Sequence, residues 1–442
     1  MRHLRGSSGA ERQRETDGRE SAALVGVESR SMTWFDSARF GMFIHWGHSS
    51  QQGVELSWPM VGGNAALPES DMTVAAYQSS AATFNPGHWD PAALARTAKA
   101  LGMQYAVFTT KHHDGYAMFH TKTSDFGVEH SPFGRDIVRE FVDAFRAEGL
   151  RIGLYFSLID WRHADYPAFI DEDKPYRFGR SRPPTPEQWE RFLADMFEQV
   201  RELLTNYGKI DVIWFDGGWE RAPEQWKAVE LEALIRGLQP EILINDRLPT
   251  VGDFETPEQF VPAQAPARTW ETCMTLNESW GYNPSDTAWK SPRQVVHTLC
   301  EVAGRGGNLL LNVSPMGDGS IMPEQRAILG AMQRWLSGNG ESIAGTEPGL
   351  EPWQFYGPST KRGNTTYLHL LMRPYESVTV RGVPIKRVKR VTVLASGQEL
   401  TFTTRCSIVD SWFNRDPKGE VTIALPEDAI DSLATVLALE MS

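Results

Sequence analysis

Six short apolar runs limit what this chain can fold into. They lie at 40–45 (FGMFIH), 105–111 (YAVFTTK), 152–157 (IGLYFS), 212–216 (VIWFD), 241–245 (EILIN) and 308–313 (NLLLNV), and polar residues close or follow each. Near-continuous apolar runs match strands of a parallel sheet buried on both faces. The segments between them carry helix punctuation. Asp90-Pro91 reads as N-cap and first-turn proline, Leu94, Ala98 and Leu101 share one face, and Gly102 is the stop. Between Gly134 and Gly149, the residues Ile137, Val138, Phe141, Val142 and Phe145 recur at helical spacing. Thr185-Pro186-Glu187-Gln188 forms a capping box ahead of Trp189, Leu193 and Met196, and Ser291-Pro292 opens a further helix. Strands alternating with helices over about 300 residues predict an α/β chain with a (β/α)8-type barrel, and a doubly wound sheet as the alternative.

From about Thr346 the helices stop. Short β-type runs at 367–371, 378–380, 388–394, 400–403 and 421–425 predict a C-terminal antiparallel β-sandwich. The expected organisation is a disordered polar leader over 1–31, a catalytic-sized barrel domain over 32–345 and the sandwich over 346–442. Met32 is an alternative start.

Composition narrows the function class. Against 44 Lys and Arg stand 56 Asp and Glu, a net charge of −12 that repels phosphate backbones and anionic lipid, so neither nucleic acid nor membrane is an expected partner. Cys273, Cys300 and Cys406 are too scattered for a zinc cluster and too few for a disulfide framework. With no apolar signal segment at the N-terminus, the expected location is cytoplasmic. The 15 tryptophans are first of all core material, and they also suit a cleft that stacks sugar rings. A homo-oligomer is compatible with all of this.

In a barrel the active site lies at the C-terminal strand ends. Those ends read His45-Trp46, Lys111-His112-His113-Asp114, Asp160-Trp161, Asp216 and Asn245-Asp246-Arg247. Asp216 sits between Trp214-Phe215 and Gly217-Gly218, either as a working carboxylate against aromatic walls or as a cap for the next turn. His112 and His113 would point to opposite faces of a strand and could share one ligand only where the strand has ended. As neutral imidazoles they would donate to sugar hydroxyls; a structural pair is the alternative. No metal is expected, because the H-x-H pair of barrel metal hydrolases is replaced by His45-Trp46-Gly47. Gly304-Arg305-Gly306-Gly307-Asn308 precedes a strand, unlike a phosphate loop, and no serine occupies a nucleophile elbow. Carboxylates, histidines and aromatics without these devices point to glycoside hydrolysis, which needs two carboxyl groups. Asp216 suits one role, and Glu255, Glu258, Glu271 and Glu278 are candidates for the other.

Six segments in register go further. FGMFIHWG at 40–47, TTKHHDG at 109–115, WFDG at 214–217, NDR at 245–247, SWGY at 279–282 and NLLLNV at 308–313 resemble, in order, the α-L-fucosidases of glycoside hydrolase family 29. The resemblance runs from about Trp34 to Thr346. It implies an exo-acting, retaining, cofactor-free hydrolase of terminal α-L-fucosyl residues on oligosaccharides or glycoconjugates. Asp216 matches the family nucleophile. His45, His112, His113 and Arg247 match positions that hold fucose hydroxyls or the nucleophile, and Tyr155 matches an active-site tyrosine. Glu258 lies on the loop after Arg247 where similar enzymes place the acid/base, with Glu271 of the Trp270-Glu271 motif and Glu255 as alternatives. The chain departs from many relatives after the first-strand histidine, where it reads VELSWP at 54–59 in place of a Glu-Trp-Tyr segment, so Glu55 and Trp58 are expected to replace those sugar contacts. A fucose-binding pseudoenzyme, a glycosidase of altered sugar preference and a metal-dependent barrel hydrolase are the competing readings.

Overall fold

The computed structural model describes residues 34–63, 70–176 and 182–442; the leader expected over 1–31 lies outside them. Seven strands, β1 (Phe40–Ile44), β2 (Tyr105–Lys111), β3 (Arg151–Ser157), β4 (Val212–Asp216), β5 (Leu243–Ile244), β6 (Glu271–Met274) and β7 (Asn308–Val313), form one sheet in the order β5-β4-β3-β2-β1-β7-β6. Every neighbouring pair is parallel. All residues of β1, β2, β4 and β7 are buried, the physical reason their runs show no alternation.

The segment 254–258 lies between the two ends of this sheet. Phe254 bridges Asn245 beyond β5, while Glu255 and Glu258 bridge Trp270 and Cys273 along β6, all parallel. The sheet thereby curls into a barrel whose eighth position is held by single bridges. Of the 241–245 run only Leu243–Ile244 is strand, and β6 has no counterpart among the expected runs. Its sequence, ETCM, opens on a glutamate and is too short and polar to stand out; only its burial between β7 and 254–258 makes it a strand.

Helices α1 (Pro91–Ala100), α2 (Ile137–Ala147), α3 (Pro186–Asn206), α4 (Ala228–Leu238), α5 (Pro292–Gly304) and α6 (Pro323–Asn339) follow β1, β2, β3, β4, β6 and β7. The starts of α1, α2, α3 and α5 are sealed by side-chain caps. Asp90 accepts from the Ala93 amide at 2.8 Å, and Thr185/Gln188 and Ser291/Gln294 form reciprocal capping boxes. The predicted stripe of α2 is buried in full.

Beyond α6, strands β8 (Glu347–Pro348), β9 (Ser359–Arg362), β10 (Thr365–Leu370), β11 (Ser377–Pro384), β12 (Val388–Val393), β13 (Glu399–Leu400), β14 (Phe402–Arg405), β15 (Lys418–Ala424) and β16 (Thr435–Met441) form two antiparallel sheets, β13-β12-β16-β10-β9-β8 and β11-β15-β14. Here residues do alternate. Leu368, Leu437 and Leu439 face the sandwich core with Val380 and Ile423, whereas Tyr367, Val436 and Ala438 join the core shared with the barrel helices. Trp335 of α6 donates to the Ala434 carbonyl at 2.7 Å, and His369 of β10 meets Cys300 of α5 at 3.1 Å.

The Ser291/Gln294 box closes two otherwise open amides of α5. Ser291→Ala is therefore expected to lower stability by about 1 kcal/mol in urea unfolding.

Candidate active site

The C-terminal strand ends enclose a cavity of about 200 Å³. That is small beside the roughly 300–1,000 Å³ of pockets for drug-sized ligands and suits a single sugar ring. Asp216 closes β4 at its floor, with a side chain 11% exposed. The two following glycines are required by space and backbone. Gly217 has φ +83°, and a Cβ on Gly218 would lie 2.5 Å from the Arg247 carbonyl oxygen.

Both Asp216 oxygens are engaged. Tyr155 donates its hydroxyl to Oδ2 at 2.9 Å, and Arg247 Nη1 donates to Oδ1 at 3.1 Å. Burial holds the Tyr155 phenol well above its ordinary pKa, so it remains a donor. The other arm of the same guanidinium, Nη2, reaches Glu258 Oε2 at 2.7 Å, and Trp280 Nε1 donates to Oε1 at 3.1 Å. Arg247 thus spans two carboxylates across one cavity. Its Nε donates to Thr256 Oγ1 at 3.1 Å and its plane lies 4.6 Å from the Trp214 ring centroid. Glu258 stands at the rim, with a side chain 40% exposed.

The histidines line the same cavity, with His113 Nε2 3.8 Å from Asp216 Oδ2. Strand β2 ends at Lys111, just after a register shift against β3, so His112 and His113 escape strand alternation and face the same cavity with ring centroids 4.1 Å apart. Their hydrogen bonds set the tautomers. Asn312 gives its amide to the Trp280 carbonyl at 2.7 Å, so its Oδ1 accepts from His45 Nδ1 at 2.8 Å. Ser157 gives its hydroxyl to the Ile159 carbonyl and so accepts from His113 Nδ1 at 2.6 Å. In both rings Nε2 is left without the proton, able to accept a hydrogen bond; for His113 this differs from the donor role expected from the sequence. His112 Nδ1 lies 2.5 Å from Ser57 Oγ. Burial is the main cause that lowers the His45 pKa to about 4 and that of His113 to about 3, and it lowers His112 well below its ordinary value. All three are neutral at neutral pH.

Of the remaining expected contacts, Trp58 lines the cavity, edge-on to His113 and Trp161. Glu55 does not. Its buried carboxylate accepts from the Trp280 and Gly281 amides at 2.7 and 2.9 Å, clasping the loop that carries Trp280. Glu271 is sealed inside the barrel, where it accepts from Trp214 Nε1 at 2.9 Å and from the Tyr105 hydroxyl. Glu255 pairs through its backbone with the start of β6 and is not among the cavity-lining residues. Cavity residues given no role from the sequence are Phe43, Trp214, Trp219, Cys273 and Trp280. The first, second and last fall inside the six family-like segments, which was the available signal. Among the described residues, no group of three His, Cys, Asp or Glu side chains is placed to hold a metal ion.

Comparison with known proteins decides what this cavity belongs to. The family model described as alpha-L-fucosidase matches residues 10–341. The chain belongs to the α-L-fucosidase family. This fucosidase is 29% identical over 435 residues to the human tissue alpha-L-fucosidase, covering 91% of this chain and 86% of that one. Its fold matches alpha-L-fucosidase isoenzyme 1 from Paenibacillus thiaminolyticus with a TM-score of 0.80 at 39% identity, over 94% of this chain and 99% of the other. It also matches a trapped covalent intermediate of a family 29 α-L-fucosidase from Bacteroides thetaiotaomicron, TM-score 0.77 at 25% identity, over 94% and 97% of the two chains. The chain is a glycoside hydrolase with a fucosylated glycoside as substrate, and its barrel and C-terminal sandwich are the fold of these enzymes.

The neutral histidines give a pH test. Each binds its proton less readily folded than unfolded, where its pKa is about 6.5, so its contribution to stability is present above pH 6.5 and lost as pH falls toward 4. The Cε1 proton shifts of His45 and His113 should stay flat from pH 5 to 8 in NMR titration. Burial raises Glu55 to about 7, with the opposite sign: its contribution is full below its ordinary 4.5 and fades as pH rises through 7. In Glu55→Gln, stability should fall less steeply than wild type between pH 5 and 8 in unfolding curves taken at each pH.

Proposed function

We propose that this fucosidase removes terminal α-L-fucosyl residues by double displacement with retention of anomeric configuration. In the first step Asp216 attacks the anomeric carbon while Glu258, as an acid, protonates the departing glycosidic oxygen, leaving a fucosyl ester on Asp216. In the second, Glu258 takes a proton from water as that water attacks the same carbon, and Asp216 leaves as a carboxylate. The observation that carries this reading is Arg247, whose one guanidinium holds a floor carboxylate and a rim carboxylate facing the same small space. The difference in exposure suits the roles. The nucleophile sits at the closed end, where a terminal sugar stops, and the acid/base sits where the aglycone leaves and water enters. For the first step Glu258 takes up a proton and gives up its ion pair, which leaves Arg247 on Asp216 alone. His45 and His113 accept from sugar hydroxyls through Nε2, and Trp58 and Trp280 supply apolar faces for the ring and its methyl group.

Asp216→Ala and Asp216→Asn are expected to abolish release of 4-nitrophenol from 4-nitrophenyl α-L-fucoside without loss of fold; turnover at the wild-type rate in either would remove Asp216 from the nucleophile role. Glu258→Ala should slow fucosides with poor leaving groups by about 10²–10⁴-fold and activated aryl fucosides far less, because only the former need a proton in the first step. NMR of the first-formed product should show α-L-fucose; the β anomer would exclude retention.

A further inference from the structure

Glu271 has no place in the steps above, yet its position is costly. It opens β6, is fully buried, and a carboxyl there has lost its water. Both oxygens are committed, one to Trp214 Nε1 at 2.9 Å and the other to the Tyr105 hydroxyl. It does not line the cavity, so it meets no substrate.

Trp214 is what connects it to the chemistry. The indole lines the cavity and supports the two side chains that hold the carboxylates. Tyr155 stacks on it at 5.6 Å and 19° and donates to Asp216. Arg247 lies 4.6 Å from it and reaches both Asp216 and Glu258. Rings packed against rings keep some freedom to slide and rotate in their planes, because dispersion contacts have little direction. A hydrogen bond from the indole N–H to a fixed acceptor removes that freedom. The acceptor is itself fixed: the Glu271 amide donates to the Glu255 carbonyl at 2.9 Å, and Tyr105 brings in β2.

We infer that Glu271 is a positioning residue that locks the Trp214 indole and, through it, the Arg247 and Tyr155 contacts to the catalytic carboxylates. The inference rests on the assignment of Asp216 and Glu258 above. Burial pushes the Glu271 carboxyl up to about 7. Glutamine keeps the volume but puts an NH2 donor at one of the two sites where the carboxylate accepts, so the bonds from Trp214 and Tyr105 can no longer both be accepted as they stand.

The test is Glu271→Gln assayed on a series of aryl α-L-fucosides. Misplacing a support by a fraction of an ångström predicts a fall in kcat of about 10- to 100-fold with KM within about 2-fold of wild type. The loss should be equal for good and poor leaving groups and untouched by azide. Unchanged kcat with only a lower melting temperature would overturn the inference. A leaving-group-dependent loss restored by azide would also overturn it, and would move the acid/base role from Glu258 to Glu271. If the glutamine variant does not fold, Trp214→Phe keeps a ring and removes the N–H. The same kcat loss at constant KM supports the inference, and wild-type kcat overturns it. Asp216→Ala run in parallel separates failure of the nucleophile assignment, which would show as retained turnover, from failure of this one.

Discussion

One guanidinium organises this active site. Asp216 and Glu258 line one small cavity, and two carboxylates so placed repel unless a cation stands between them. Arg247 stands there with Nη1 on one and Nη2 on the other. A lysine ammonium is a point charge that could not hold both in fixed geometry, whereas the planar fork can, and its plane also packs on Trp214. The bridge asks three things of the fold. Asp216 must end a strand, Arg247 must follow β5 closely, and Glu258 must return along β6. The parallel bridges of 254–258 do the last, so the irregular eighth position of the barrel is also the part that carries the rim carboxylate.

Around that bridge, most polar groups act by orienting another group. Ser157 and Asn312 fix the tautomers of His113 and His45, Thr256 steadies Arg247, and Glu55 holds the loop whose Trp280 touches Glu258. These partners come from β3, β7, the 254–258 segment and the loop after β1. Strands of one parallel sheet deliver such distant residues to one rim because all their C-terminal ends point the same way. Low polarity matters as well: burial keeps the imidazoles neutral, which leaves them able to accept from hydroxyls.

The segment 54–59 does two different jobs. Trp58 faces the cavity, while Glu55 turns away into backbone amides. The segment therefore contributes one wall of the pocket and one clasp behind it, although both residues stood as sugar contacts in the linear reading.

The alternation of buried strands and capped helices, the strand-end residues His45, His112, His113, Asp216 and Arg247, and the switch to antiparallel strands near residue 346 were legible in the chain itself. They rest on local chemistry: side-chain period, caps and the polarity that must appear where a buried strand meets solvent. Other features depend on residues far apart in sequence. Strand β6 is a strand only because β7 and 254–258 flank it. Glu258 and Glu271 carry the same functional group 13 positions apart, yet one stands in the cavity and the other behind its wall. The histidine tautomers depend on Ser157 and Asn312, which no local pattern links to them. What a carboxyl or an imidazole does is set by its neighbours and its access to water, and those exist only once the barrel has closed.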